Sequence, residues 1–594
     1  MNEIELRLAR LRELMKREHL SAFIFPSTDA HQSEYVADHW RGREWISGFN
    51  GSAGTAVVTM KSAALWTDSR YFLAAEEQLE GTEYQLMRLK IEGTPTIAEW
   101  LEKELQDVQS PEVGLDGMVN SYNYVKDLIY SLRKLGGITI RTNLDPLAQI
   151  WENRPSLPAN PVEIQPLEYA GETLASKVAR IRKSLRELHA DGMLVSALDD
   201  IAWTLNLRGT DVHCNPVFVS YLLIESGKVS LFVDDNKLSP EVKLYLQDNQ
   251  VSLYNYNKVE KCLESYSEYN ILLDGNETSY YLWKAVKCQE IVAAGSPIPA
   301  MKAVKNKAEI EGYRSAMLKD GVAMVKFLKW LKPAVEAGGQ TEISIDKKLT
   351  SLRAEQKLFR DISFDTIAGY AQHGAIVHYE ATPETDVVLK PEGLILIDSG
   401  VQYQDGTTDI TRTIALGPVS EEMKHIYTLV LKAHIQLELV KFPDGASGTQ
   451  LDAIARSAMW REGMNYMHGT GHGVGSYLSV HEGPHQIRQE YRGTPMVEHM
   501  TVTDEPGLYL ADRFGVRIEN TLLVVPYITT EFGRFVRFEP LTLCPIDTTP
   551  IVVDMLSAEE RSVLNAYHQM VYERLSPLLN EDERKWLRIK TEAI

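Results

Sequence analysis

At 594 residues the chain is too long for a single hydrophobic core, and its length suggests three or four domains. Acids outnumber bases 82 to 62, for a formal net charge of −20, which argues against nucleic acid and anionic membrane surfaces as partners. The four cysteines, Cys214, Cys262, Cys288 and Cys544, show no metal-type spacing and read as free thiols of a reducing compartment.

The chain opens with apolar positions Ile4, Leu8, Leu11 and Met15 at helical spacing among charged neighbours, the pattern of an amphipathic helix. No uninterrupted apolar core of signal-peptide kind is present there, and no stretch elsewhere is long enough to span a bilayer. A cytoplasmic protein without a membrane partner is expected. Ala22-Phe23-Ile24-Phe25 reads as a buried strand, and a pair of strands follows around Val57 and Trp66. The second ends in Thr67-Asp68-Ser69-Arg70-Tyr71 before a helix to Leu79.

The same order then recurs. Ala179-Arg180-Ile181-Arg182 echoes Ala9-Arg10-Leu11-Arg12, and Asp191-Gly192-Met193-Leu194-Val195 echoes Ser21 to Phe25. Phe218 to Ile224 and Val229 to Val233 take the place of the strands around Val57 and Trp66. Two related α/β domains in tandem are predicted, 1–155 and 156–300. Pro146, Pro155, Pro158, Pro161 and Pro166 mark the junction, where no regular element is expected to persist. A second junction falls at Ala294-Gly295-Ser296-Pro297-Ile298-Pro299. Beyond it Ile310, Met317, Val322, Val325 and Leu328 predict long helices over a sheet, opening a third domain, 301–594. That domain ends in a helical tail from Ser557 to Leu587, whose apolar positions read as packing on its own domain rather than as a partner-binding arm.

The chemistry is concentrated in this third domain. Leu394-Ile395-Leu396-Ile397-Asp398-Ser399-Gly400 is an apolar strand ending on a carboxylate, and Asp409 follows in the β-branched run Thr407-Thr408-Asp409-Ile410-Thr411-Arg412-Thr413-Ile414. Glu505 closes Met500-Thr501-Val502-Thr503-Asp504-Glu505, and Glu519 lies in Gly515-Val516-Arg517-Ile518-Glu519-Asn520. Glycines 400, 406, 507 and 515 suggest that each acid pair sits on one hairpin. His472 lies between the pairs, in the Gly-rich loop His468-Gly469-Thr470-Gly471-His472-Gly473-Val474-Gly475. Buried carboxylates must be paired or coordinate a metal, and Arg412 and Arg517 are too few for four acids. Two divalent cations satisfy them. Oxygen-rich ligation with one nitrogen and no thiolate suits Mn²⁺, with Co²⁺ or Zn²⁺ as alternatives.

The order Asp398, Asp409, His472, Glu505, Glu519, with the segments around each, resembles the metallopeptidase family of pita-bread fold that includes methionine aminopeptidase, prolidase and aminopeptidase P. The likeness is strongest over Pro299 to Ile546 and is nearest to the long, three-domain aminopeptidase P type. It implies two creatinase-N-like α/β domains followed by a pita-bread catalytic domain, and a homodimer formed through the latter. The implied reaction is hydrolysis of the first bond of peptides with proline at position two, by a bridging hydroxide attacking the carbonyl of residue one. The five residues are then the metal ligands, with Glu505 also shuttling the proton. His378 and His481 orient the scissile amide and stabilise the tetrahedral intermediate, and His468 lines the substrate pocket. Arg70 would reach substrate from the N-terminal domain. From spacing alone, Arg517 lies two residues before Glu519, on the same face of a strand, where its guanidinium can hold a ligand carboxylate. On the residues alone, His378 and His481 read equally as hydrogen-bonded structural histidines, His468 as a loop stabiliser and Arg70 as a solvated surface charge. Alternatives are a prolidase-type Xaa-Pro dipeptidase and a non-catalytic binding protein of the same fold.

Overall fold

The computed structural model describes residues 2–594, which form two compact units. One comprises the residues up to Gln165 together with Glu172–Ile298, the other Pro166–Gly171 and Pro299–Ile594.

In the first unit, helix α1 (Glu3–Arg17) starts on an Asn2 and Glu5 capping box. It precedes strands β1 (Ala22–Pro26), β2 (Thr55–Thr59), β3 (Ala63–Thr67), β4 (Tyr84–Arg88), β5 (Glu112–Leu115) and β6 (Thr139–Arg141), in sheet order β4-β3-β2-β1-β5-β6. Alternate strand residues serve opposite faces, as the pleat requires. Phe23, Phe25, Val58 and Leu65 pack with Leu8, Leu11 and Met15 of α1, whereas Ile24, Val57 and Trp66 pack with Leu101, Val125 and Leu132. Both faces are therefore apolar, which is why these strands read as continuous apolar runs.

After helix α2 (Leu174–Glu187) come β7 (Gly192–Val195), β8 (Ser220–Glu225), β9 (Val229–Val233), β10 (Val251–Tyr254), β11 (Asn270–Leu273) and β12 (Glu290–Ala293). Their sheet order, β10-β9-β8-β7-β11-β12, repeats that of the first sheet strand for strand. The proline-rich junction is less irregular than expected. Short helices at Leu147–Ile150 and Leu167–Ala170 begin directly after Pro146 and Pro166, where the fixed φ of proline favours a helix start.

A short helix at Ile298–Ala303 leads into the second unit and is followed by one uninterrupted long helix, α3 (Lys307–Ala337), rather than several. The Asn306 and Glu309 capping box starts it, and Pro333 is accommodated close to its end. Helix α4 (Glu342–Ala354) follows, then β13 (Phe359–Ile362), β14 (Ile367–Tyr370), β15 (Leu394–Ser399), β16 (Val401–Tyr403), β17 (Gly406–Thr407) and β18 (Ile410–Ala415). A second helix pair, α5 (Glu421–Leu439) and α6 (Gly448–Trp460), flanks β19 (Lys441–Pro443). Then come β20 (Gly471–Gly473), β21 (Glu482–Ile487), β22 (Thr501–Asp504), β23 (Gly507–Leu510), β24 (Phe514–Arg517), β25 (Asn520–Thr530) and β26 (Gly533–Pro540). Each half is thus a helix pair leading into broken antiparallel strands. Helices α7 (Ala558–Leu575) and α8 (Glu581–Lys590) close the chain, with Leu564, Tyr567, Val571, Leu575 and Leu587 buried against Val325 of α3 and Val430 of α5. Among the described residues no helix is long and apolar enough to cross a membrane.

Candidate metal centre

The two acid pairs do not sit on simple hairpins. Strands β15 and β18 are antiparallel neighbours, with Asp398 opposite Thr411, but between them the chain leaves that sheet, makes the β16–β17 hairpin and returns. Gly400 marks the departure. It serves close approach rather than a turn, since a Cβ there would lie 2.0 Å from the Ser363 hydroxyl and 2.1 Å from the Thr408 carbonyl. Asp409 stands just before β18. The second half repeats the device. Strands β22 and β25 pair as far as Asp504 opposite Asn520, and β23 and β24 pair from Gly507 opposite Arg517. Glu505 and Glu519 occupy the break between the two ladders.

At that break the Glu519 amide turns to the other half and the Glu505 amide toward the strand that carries His472. Glu519 N–H donates to the Thr411 carbonyl at 3.1 Å and Glu505 N–H to that of Thr470 at 2.8 Å. Thr411 Oγ1 donates to Oε2 of Glu519 at 2.8 Å, and the Thr413 hydroxyl to the Arg517 carbonyl at 2.8 Å. The halves are stitched together at the acids.

His472 is on strand β20, not in a loop. Gly471 makes this possible, because a Cβ there would meet the Thr503 carbonyl at 1.9 Å. Nδ1 of His472 donates to the Gly473 carbonyl at 2.9 Å, which leaves the Nε2 lone pair facing the acids. Nε2 lies 3.4 Å from Oδ2 of Asp409 and 3.4 Å from Oε1 of Glu505. Donors on a common ion with bonds near 2.1 Å stand about 3.0–3.4 Å apart. Asp409, His472 and Glu519 each offer an atom within 4.8 Å of the others. Oδ1 of Asp398 and Oε1 of Glu519 are buried without a hydrogen-bond partner. These five side chains fit a pair of hard divalent cations.

The electrostatics agree. Burial, followed by the negative charges of Asp398 and Glu505, holds Asp409 well above the usual carboxylate range. Burial, then Asp409 and Asp398, does the same to Glu519. Glu505 is pushed up to about 7 by burial, with the charge of Asp398 adding to it and Arg517 opposing. Two like charges 4 Å apart repel by about 4 kcal/mol at an effective dielectric of 20, so cations or protons must enter. Arg412 offers little relief. Its guanidinium donates to the carbonyls of Glu519 at 2.6 Å and Cys544 at 2.8 Å and to Oδ1 of Asn520 at 2.8 Å. Arg517 does reach the cluster, but from the end of β24 it binds Asp398 rather than sharing a strand face with Glu519.

The remaining predicted residues fall into two groups. The His481 ring meets that of His472 edge-on at 4.4 Å. The segment bearing His378 is tied beside Arg517, whose Nη2 donates to the Val377 carbonyl at 3.3 Å. Tyr509 accepts from Nη1 of Arg517 at 2.7 Å and donates to Nε2 of His468 at 2.8 Å, linking His468 to Asp398. Arg70 belongs to the first unit, where Asp68 accepts two of its N–H groups at 2.8 Å each. Tyr509, Thr411 and Thr503 join the site without having been among the expected residues. Thr503 carries a signal, since it lies two residues before the acid it bonds, whereas the partner of Thr411 is Glu519, 108 residues away.

Comparison with known proteins supplies the family. The pattern of metallopeptidase family M24 matches residues 311–526 and that of the C-terminal region of M24 peptidases matches 534–594. The creatinase/prolidase N-terminal domain matches twice, over 7–140 and 153–309, in line with the tandem repeat. The chain is 38% identical to a probable Xaa-Pro aminopeptidase P of Laccaria bicolor, over 98% of this chain and 92% of that one. It is 38% identical to Xaa-Pro aminopeptidase 1 of Dictyostelium discoideum, over 98% and 96%. Its fold superposes with a TM-score of 0.95 and 34% identity, over the full length of both chains, on the X-prolyl aminopeptidase of Caenorhabditis elegans, described as a cytosolic enzyme with a di-nuclear active site. The chain belongs to the Xaa-Pro aminopeptidase group of metallopeptidase family M24.

Proposed function

We propose that this protein is a metal-dependent aminopeptidase that hydrolyses the first peptide bond of chains with proline at position two. The observation that carries the reading is the cluster of Asp409, His472 and Glu519 donor atoms within 4.8 Å of one another, with Glu505 3.4 Å from His472 Nε2 and with Oδ1 of Asp398 and Oε1 of Glu519 buried without a donor. The full-length match to Xaa-Pro aminopeptidases supports the substrate class. Two divalent cations held by Asp398, Asp409, His472, Glu505 and Glu519 would supply an acidified water and a Lewis-acid contact for the scissile carbonyl. Manganese is the first candidate, with cobalt or zinc as alternatives.

The chain's own residues do the rest. Glu505, on the His472 side of the cluster, would take a proton from water and pass it to the departing proline nitrogen. The Thr503 hydroxyl donates to Oε1 of Glu505 at 3.2 Å and orients it. Arg517 holds and aims Asp398 through its guanidinium. His378 and His481 donate to the substrate carbonyl and to the oxyanion it becomes. His468 and Arg70 contact substrate. Domain boundaries near 155 and 300, a homodimer formed through the C-terminal unit and a cytoplasmic location complete the reading.

The test is a chelation series. Stripped protein is supplied with Mn²⁺, Co²⁺ or Zn²⁺ and offered Xaa-Pro-Xaa tripeptides, Xaa-Pro dipeptides and Met-Ala-Xaa controls. Metal-dependent cleavage of the tripeptides is expected. Cleavage of dipeptides alone points to a prolidase, and full activity without metal overturns the mechanism.

A further inference from the structure

Behind the acid cluster lies a buried group that the mechanism does not use. Asp504 and Asn520 are the last paired residues of β22 and β25, immediately before Glu505 and immediately after Glu519. Consecutive strand residues face opposite ways, so these two point away from the acids, toward helix α5. His434 of α5 meets them there, fully buried. Its Nδ1 lies 3.2 Å from the Asp504 carbonyl oxygen and 3.1 Å from Oδ2 of the same residue, and its Nε2 lies 3.2 Å from Nδ2 of Asn520. The orientation is enforced. Arg412 donates to Oδ1 of Asn520 at 2.8 Å and Tyr567 at 3.3 Å, so the amide must present its N–H to His434. Nε2 therefore accepts, and Nδ1 carries the proton toward Asp504.

We infer that His434 is a positioning residue for the metal centre, a single imidazole that ties the two strand ends together and thereby sets the separation of the Glu505 and Glu519 carboxylates. The first half has a counterpart: Thr408 donates to Asp320 at 3.0 Å, and Arg353 donates to that same aspartate at 2.8 Å and to the Gly400 carbonyl at 3.4 Å. Both braces come from the helix pairs. The inference rests on the metal-centre reading and concerns how tightly the ions are held.

It is tested on the full chain, stripped of metal, by titration calorimetry with Mn²⁺ beside thermal melting of the stripped protein. His434→Phe fills the space without either contact, His434→Asn reaches one strand at most, and His434→Gln can accept from Asn520 and donate to Asp504. The first two are expected to weaken Mn²⁺ binding by roughly tenfold or more, within the range for outer hydrogen-bond partners of ligands, and His434→Gln to recover most of it. A purely structural role would lower the melting temperature and leave Mn²⁺ affinity unchanged at a temperature where the protein is folded. Should His434→Phe fail to fold, the Asn and Gln pair decides. Wild-type affinity in His434→Asn or His434→Phe overturns the inference. A wild-type chain that takes up no Mn²⁺ pair overturns the metal-centre reading itself.

Discussion

Arg517 donates from Nη2 to Oδ2 of Asp398 across 2.6 Å and from Nε to the same oxygen across 3.2 Å, while Oδ1 of that aspartate faces no donor. One oxygen is thus held by the protein and the other is left for a cation. Replacing Arg517 by Met removes the held side and leaves a buried carboxylate to be neutralised otherwise. Loss of one partner of such a pair costs about 3–5 kcal/mol. In urea unfolding, Arg517→Met is expected to lose roughly that amount in the stripped protein, and clearly less with Mn²⁺ present. Equal losses in the two states would show that Arg517 does not share Asp398 with an ion.

Asp409→Asn leaves the shape of the site and removes a charge that two ions need. Metal analysis of the purified variant should show fewer than two ions per chain. Since the metals supply several kcal/mol of transition-state stabilisation, activity on an Xaa-Pro-Xaa peptide should fall about 10³-fold.

His378→Ala and His481→Ala separate substrate chemistry from metal binding. Each is expected to keep the wild-type metal content and to lose about 10²–10³-fold in kcat, the usual cost of one oxyanion donor. A change confined to KM would make these histidines binding groups only.

Metal affinity should depend on pH through Asp409, Glu505 and Glu519, all raised by burial, with Glu505 near 7. A raised carboxylate binds protons in the ion-free fold that the unfolded chain, titrating near 4, has already released. Its contribution to ion-free stability is therefore complete below about pH 4 and is lost as pH rises through about 7. Loading runs the other way, because cations must displace those protons. Mn²⁺ affinity should weaken on lowering the pH from 8 to 6, approaching about tenfold per pH unit for each proton displaced. Calorimetry in two buffers of different ionisation heat counts the protons. Affinity that stays flat over this range would contradict the raised values.

Much of the fold could be read along the chain because its signals are local. The echo of Ala9-Arg10-Leu11-Arg12 in Ala179-Arg180-Ile181-Arg182 and the paired apolar runs announced two sheets that share one strand order. The glycines misled. Gly400 resembled a turn residue, yet its role is to let Thr408 and Ser363 approach, a demand set by residues outside its own hairpin. His472 looked like a loop residue because the pairing of β20 with β21 is short and irregular, without the alternation that marks a strand.

The five groups proposed to hold metal could be named from the sequence alone. Four acids in apolar strands and one histidine among glycines have no inexpensive burial except around cations, whatever the surrounding fold. Tertiary structure decided which oxygens those groups present and what holds them. Arg517 went to Asp398, Arg412 turned to Asn520 and the Cys544 carbonyl, and His434 came to lie between Asp504 and Asn520. None of these pairings follows a helical or strand period. Each joins residues far apart along the chain: the Arg517 and Arg412 contacts cross from one half of the second unit to the other, the His434 contacts bring helix α5 to two strands of its own half, and residues so separated become neighbours only in the folded chain.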